Sequence, residues 1–375
     1  MGDFLIACGG TGGHLSPGIA VAERLNARGY NSSLIVSRRE VDSRLCRKYK
    51  DYTFIRTPGV PFSWNPVRMV YFGAEQLRAL IFSLRLVRKA RPLAIIAFGG
   101  YTSVAIALAG VVLRVPLILH EANRKPGRAV RWLARFADRI YLPSGIRIGV
   151  LQGAKTRSPG YPVRKEIRRV SRERARRALG IDTQGKLLVV FGGSQGAGAL
   201  NEWVRTNLQA LGAEGINVYC LTGVGKGSDG VFQFQAPDGS HVKATFTPFS
   251  DRMGDVLSSA DLTVARAGAG SIAELIHCHT PSILIPYPYA SDNHQRENAQ
   301  FLERQGGCLV LDQTRLRDLF SEVRELIFND WLLDRFRDNL RMLDEGDSAE
   351  RIADDLTRLL RLRRQKIGER SAVMN

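Results

Sequence analysis

The sequence predicts an α/β chain of two domains, each a parallel sheet with crossover helices, and three observations carry this. Short β-rich runs alternate with amphipathic helical stretches from end to end, the rhythm restarts once past residue 160, and each half opens with a glycine-rich turn directly after a strand. At 375 residues the chain is too long for one ordinary domain and long enough to bury two separate cores.

The elements follow in order. FLIACGG reads as a first strand running into a turn, PGIAVAERLNARG as a helix and SSLIVS as the next strand; LAIIAFGG and SVAIALAGVVL repeat the pair. After the proline- and arginine-rich stretch SPGYPVRKEIRR, the run KLLVVFGGSQGAGALN opens a second strand, turn and helix, which places a boundary near residues 158 to 168. The basic stretch Arg164 to Arg177 reads as helical. The expected division is 1–162, 163–346, and a 347–375 extension in which the helix ERIADDLTRLLRLRR packs back on the first domain ahead of a loose polar tail. Two Rossmann-like domains facing each other across a cleft fit this organisation.

Hydrophobic residues at 44% and charged residues at 24% describe a globular protein. The five cysteines are scattered and form no C-x-x-C pair, so neither a disulfide framework nor a zinc site is expected, and a reducing compartment is. No apolar stretch nears the roughly 18 residues that a spanning helix needs, and the start MGDFLIACGG reads as a strand rather than a signal peptide. The net charge of +18 calls for an anionic partner: nucleic acid, an anionic membrane surface or phosphate-rich substrates. Basic residues spread along helices, without zinc-finger spacing or an RNA-binding aromatic signature, argue against nucleic acid.

Three segments carry chemistry. Gly9-Gly10-Thr11-Gly12-Gly13-His14-Leu15-Ser16-Pro17 is a phosphate-friendly turn before a helix, in which glycines let the backbone approach a ligand and the helix start favours negative charge. Such a turn also serves plain strand-to-helix packing. His14, at its tip just before the helix expected to start at Pro17, is a candidate general base, or a structural cap of the turn. Phe191-Gly192-Gly193-Ser194-Gln195-Gly196-Ala197 is a second such loop, with Asn201 one turn in. No Gly-Lys-Ser/Thr follows it, which disfavours an ATPase, and the first loop lacks the G-x-G-x-x-G order of a dehydrogenase. Ala269, Gly270, Ser271, Ile272, Ala273 and Glu274 lead into a helix where backbone donors can meet phosphate and the Glu274 carboxylate can accept two ribose hydroxyls. Ser271 and Glu274 also have the spacing of a capping box, and both roles stay open.

GGTGGHLSP, FGGYTS, HEAN, GYPVR, GGSQGA, RAGAGSIAE and DNHQRENA, in that order over nearly the whole chain, resemble the MurG family. The resemblance implies a GT-B fold and an inverting hexosyltransferase that moves N-acetylglucosamine from UDP-N-acetylglucosamine to the 4-hydroxyl of N-acetylmuramic acid in undecaprenyl-linked lipid I, making lipid II for peptidoglycan. It implies that the first domain holds the acceptor and the second the donor, with no cofactor. Thr11, Gly12 and Gly13 would line the cleft, and Asn123 would contact the donor sugar. Arg164 and Ser194 would lie near the diphosphate, Gln195 would bind the donor, Ala269 to Glu274 would cradle the nucleotide with Glu274 on the ribose, and Gln295 and Asn298 would contact sugar hydroxyls. It also implies a peripheral position on the cytoplasmic face of the inner membrane and leaves room for other cell-wall synthesis proteins as partners. The chain departs from the family's common pattern at Ala122, where a donor-side contact is expected to be missing, at Ala267, where Ser is frequent, and at His294, where some members carry Gln.

The implied displacement needs a base, for which His14 is the first candidate and Glu121 the competitor, and stabilisation of a departing diphosphate. Helix starts and Arg164 can bear that charge, and no Asp-x-Asp pair offers to hold a metal, so metal independence is expected. Membrane contact is expected at Trp64, Phe72, Ile81, Phe82 and Arg85, within stretches mixing apolar residues with arginines. An ordinary core stripe of Leu77, Leu80, Leu84 and Val87 is the competing explanation. Another GT-B transferase with a different acceptor, a UDP-sugar 2-epimerase, and a non-catalytic charge-driven binding module are the alternatives.

Overall fold

A computed structural model describes residues 2–9, 12–38, 46–60, 66–148, 155–181, 185–193, 196–227 and 229–373. The chain divides into two compact units: residues 1–122, 126–164 and 347–375 form the first, and residues 123–125 and 165–346 the second. Each holds one seven-stranded sheet.

In the first unit the strands are β1 (Phe4–Ala7), β2 (Ser32–Val36), β3 (Thr53–Arg56), β4 (Ala94–Ala97), β5 (Leu117–His120), β6 (Arg139–Tyr141) and β7 (Thr156–Arg157), in the order β3-β2-β1-β4-β5-β6-β7 and parallel throughout. β1, β2, β4 and β5 are buried along their whole length because helices cover both faces, so they read as unbroken apolar runs. The period of two sorts them. Phe4, Ile6 and Cys8 face helix α1 (Gly12–Ala27), whereas Leu5 and Ala7 face Leu86 and Val87 of α2 (Pro66–Ala90) and Ile106 and Ala109 of α3 (Tyr101–Val112). A short α4 (Arg128–Leu133) follows β5.

The final helix, α12 (Ser348–Val373), belongs to the first unit and continues through the stretch expected to be loose. Ile352, Ala353, Leu356 and Leu360 enter the core beside α1. Around them Arg24 pairs with Asp347 at 2.6 Å, Arg28 with Asp354 at 2.7 Å and Arg139 with Asp355 at 2.9 Å.

The second unit contains β8 (Lys186–Phe191), β9 (Ile216–Leu221), β10 (Gly230–Gln235), β11 (His241–Thr247), β12 (Leu262–Ala265), β13 (Ser282–Leu284) and β14 (Cys308–Val310), in the order β10-β11-β9-β8-β12-β13-β14. All pairs are parallel except the β10–β11 hairpin, an antiparallel edge that the repeating strand–helix rhythm does not announce. Its helices are α5 (Arg172–Leu179), α6 (Gly198–Ala213), α7 (Met253–Ser259), α8 (Ala269–Cys278), α9 (His294–Arg304), α10 (Leu319–Ile327) and α11 (Asp330–Leu343).

The basic stretch 164–177 is helical only from Arg172, where Ser171 caps the first turn. Before it, backbone at Glu166 and Arg168 lies so close to Gly254 that a Cβ there would come within 2.9 Å, and Val170 N–H donates to Ser258 Oγ at 3.1 Å. Close packing against α7 overrides the local helical preference. Asp261, 2% exposed, anchors this region by accepting from Arg176 at 2.6 Å, Arg172 at 2.8 Å and the Leu187 amide at 2.7 Å.

Candidate active site

In the first unit the loop after β1 leads into α1, which begins at Gly12, so His14 lies inside its first turn rather than ahead of it. Pro17 therefore sits within the helix and has no N–H to give the Gly13 carbonyl. Tyr161 OH donates to that carbonyl instead, at 3.3 Å. The half-buried His14 ring lies against Gly99 and Gly100, both at positive φ (91° and 77°). A Cβ on Gly100 would stand 3.2 Å from His14 Nδ1 and one on Gly99 3.7 Å from Nε2. Thr102 Oγ1 ties this second glycine turn to the first by donating to the Gly9 carbonyl at 2.7 Å.

Glu121, 5% exposed, accepts from the Gly127 amide at 2.7 Å, at the start of α4, and so anchors the loop after β5. Its neighbour His120 is 2% exposed, and burial pushes its imidazole down to about 3, opposed in part by a hydrogen bond to the Gly160 backbone. Arg164 is buried where the first unit ends, donating to Tyr49 OH at 3.4 Å. Thr11 lies outside the described residues; Gly12 and Gly13 open α1.

In the second unit the β8 strand ends in Gly192-Gly193. A Cβ on Gly192 would stand 2.2 Å from the Ala197 amide, which only glycine allows. Ser194 and Gln195 lie outside the described residues. Gly196 (φ 65°) passes under the loop that follows β9, where an added Cβ would meet the Thr222 carbonyl at 2.5 Å and Lys226 Cδ at 3.2 Å. Asn201 donates to the same carbonyl at 2.8 Å. The exposed Lys226, in Thr222-Gly223-Val224-Gly225-Lys226-Gly227, was not singled out from sequence. It could have been: this is another glycine turn directly after a strand, and it carries an exposed cation.

The α8 turn settles the capping question. Gly268 is the N-cap and no side chain caps the helix, so Ser271 stands in the first turn and does not act as the cap of a Ser-x-x-Glu box. Ser271 Oγ is 3.9 Å from the Cβ positions of both Gly193 and Gly268, which draws the two glycine loops together around one hydroxyl. Glu274 follows three residues on, half-buried. Both α6 and α8 thus present first-turn amides with no side-chain cap, a favourable setting for an anion.

Asn298 is 3% exposed and fully engaged: Oδ1 accepts from the Arg124 amide at 2.9 Å, while Nδ2 donates to Asn123 Oδ1 at 3.1 Å and to the Ala267 carbonyl at 3.3 Å. It holds residues 123–125 on the second unit, helped by the Arg124 guanidinium 3.8 Å from the Phe301 ring centroid. Gln295 accepts from the Tyr287 amide at 2.9 Å through its side-chain oxygen. His294 is set one step past two left-handed residues, Asp292 and Asn293, with Nδ1 2.7 Å from the Ser291 carbonyl.

Of the expected membrane residues, Ile81 (42%) and Arg85 are exposed on α2, Phe82 packs partly against the core, Phe72 is half-buried, and Trp64 lies outside the described residues. Leu77 is 59% exposed, so the supposed core stripe does not include it; the buried side instead carries Glu75, Ala79, Ser83, Leu86 and Val87. Among the described residues no helix is long and apolar enough to cross a membrane.

Residues 4–142 match the glycosyltransferase family 28 N-terminal domain and residues 187–340 its C-terminal domain. A protein of Opitutus terrae, a UDP-N-acetylglucosamine–N-acetylmuramyl-(pentapeptide) pyrophosphoryl-undecaprenol N-acetylglucosamine transferase, is 51% identical over 96% of both chains. The crystal structure of Acinetobacter baumannii MurG superposes with a TM-score of 0.70 at 23% identity, covering 95% of this chain and 99% of that one. A Streptomyces sp. SF2575 glycosyltransferase complexed with thymidine diphosphate shares the fold at 14% identity and a TM-score of 0.61, over 96% and 99% of the two chains. With both family domains matched in order and a relative half identical along nearly its whole length, the chain belongs to glycosyltransferase family 28, in its MurG branch.

Proposed function

We propose that this protein transfers N-acetylglucosamine from UDP-N-acetylglucosamine to the 4-hydroxyl of N-acetylmuramic acid in lipid I, with inversion and without a metal ion, yielding lipid II. The observation that carries the proposal is the identity of 51% over 96% of the chain to a transferase of that name.

The chemistry is a single displacement. The acceptor oxygen forms a bond to the anomeric carbon, the bond from that carbon to the UDP oxygen breaks, and the acceptor proton passes to a base. His14 is that base in this reading: its ring rests on the Gly99–Gly100 backbone, and Glu121 accepts from the Gly127 amide and anchors the loop after β5. The departing diphosphate meets the uncapped starts of α6 and α8 and Lys226 beside Gly196. Glu274 takes the ribose hydroxyls and Gln295 the sugar, and Asn298 acts through Asn123, whose position it sets. Tyr71, Leu77 and Ile81, exposed on α2 among Arg78, Arg85 and Arg88, support seating at the anionic cytoplasmic face of the membrane, where each arginine is worth about 1 kcal/mol.

The test is transfer of labelled sugar from UDP-N-acetylglucosamine to a lipid I analogue in EDTA. Wild type is expected to transfer and His14→Ala to lose about 100-fold. Release of the 2-epimer, no transfer at all, or activity that needs added magnesium would each overturn the corresponding part of the proposal.

A further inference from the structure

His120 stands where two walls of the His14 site meet. Its ring lies 4.9 Å from the Phe98 ring, tilted by 37°, and 6.1 Å from the Tyr161 ring, edge to face. Phe98 leads directly into Gly99 and Gly100, the backbone against which the His14 imidazole rests. Tyr161 holds the Gly13 carbonyl that Pro17 leaves open, one residue before His14. One buried side chain therefore touches both supports of the His14 ring.

Its chemistry does not fit a packing role. His120 is 2% exposed, and its Nδ1 is buried with no hydrogen-bond partner. A polar nitrogen left this way costs stability that an apolar ring of similar shape does not lose, and against that stands the hydrogen bond of the ring to the Gly160 backbone. We propose that His120 is a positioning residue for His14, set between the Phe98–Gly100 wall and the Tyr161–Gly13 wall, and that it governs the orientation of the His14 ring and the pH range over which His14 works. This rests on His14 being the base.

The ionisable groups around His120 are His14, Glu121, whose carboxylate is turned to the Gly127 amide, and Tyr161. Burial keeps His120 neutral through the physiological range, so His120 adds no charge beside His14 as it takes up the acceptor proton. Tyr141, at the end of the adjoining strand, is committed to Asp355 at 2.8 Å.

His120→Phe and, should that variant fold poorly, His120→Asn are compared with wild type and His14→Ala. The readouts are thermal unfolding, kcat and KM for UDP-N-acetylglucosamine, the pH profile of kcat/KM, and the His14 ring proton titration by NMR, assigned by its loss in His14→Ala. Expected are a melting temperature close to that of wild type, kcat down about 10-fold with KM unchanged, a displaced acidic limb of the pH profile, and a displaced His14 titration. Adding His120→Phe to His14→Ala is expected to cost nothing further. An unmoved His14 titration and acidic limb, or an equal loss in the His14→Ala background, overturns the proposal. Full activity of His14→Ala itself overturns the base assignment, whatever the NMR titration shows.

Discussion

Gly268→Asp is the substitution in which stability and donor binding should part company. Gly268 is the N-cap of α8 at φ −66° and ψ 143°, ordinary extended backbone that any residue adopts, and an added Cβ would meet only Ser271 Oγ at 3.9 Å. An aspartate there caps amides that now have no side-chain partner. Relative to glycine this contributes a few tenths of a kcal/mol from the cap and about 0.3–1 kcal/mol from the helix dipole. If the UDP diphosphate is held by the same amides, the carboxylate displaces or repels it. Two unit charges about 5 Å apart at an effective dielectric near 20 oppose each other by about 3 kcal/mol, or about 100-fold in affinity. The assays are UDP titration by calorimetry and unfolding in urea, with Gly268→Asn as the neutral cap. The expected outcome is a slightly more stable Asp variant that binds UDP about 100-fold more weakly, with the Asn variant falling between. An Asp variant that is more stable yet binds UDP as wild type does would refute the placement of the diphosphate at α8.

Lys226→Met is predicted to weaken UDP about 10-fold, roughly the worth of one charge-assisted contact, and to leave uridine unchanged; equal losses for UDP and uridine would show that the side chain only shapes the loop over Gly196. Asp261→Ala strands Arg176, which is 3% exposed and also donates to the Ser259 and Gly185 carbonyls at 3.1 and 3.0 Å. It is predicted to cost about 3–5 kcal/mol in urea unfolding, and a loss below about 1 kcal/mol would mean that solvent reaches the pair. Leu356→Ala removes a fully buried side chain of α12 and is predicted to destabilise by about 3 kcal/mol; an unchanged unfolding midpoint would mean that the final helix is not part of the first core.

Much of the fold was legible because parallel strands covered on both faces must be apolar along their length, as FLIA and KLLVVF are. What escaped notice depended on contacts between distant segments. The β10–β11 hairpin follows no local rule that the strand–helix rhythm announces, and the run before Arg172 is not helical where Gly254 of α7 packs on it. In the site, the glycine turns were visible as turns. The Gly223–Gly227 turn was equally readable as a turn, but that Lys226 lies over Gly196 and that Gly99 and Gly100 lie under His14 was not, because each contact joins loops far apart in the chain.

By itself, the sequence determined the two α/β halves, the three glycine-opened helices and the family, since these rest on short-range periodicity and on residue order. Tertiary structure alone decided that α1 begins before His14 and frees the Gly13 carbonyl for Tyr161, and that Gly268 rather than Ser271 caps α8. It also decided that Asn298 carries residues 123–125 onto the second unit, and which residues of the final helix, Ile352, Ala353, Leu356 and Leu360, enter the first core. The physical reason is plainest for Asn298 and the final helix. A buried carbonyl, amide or apolar face must find a partner, and the partner it finds is whichever group the fold brings near, not the one beside it in the chain.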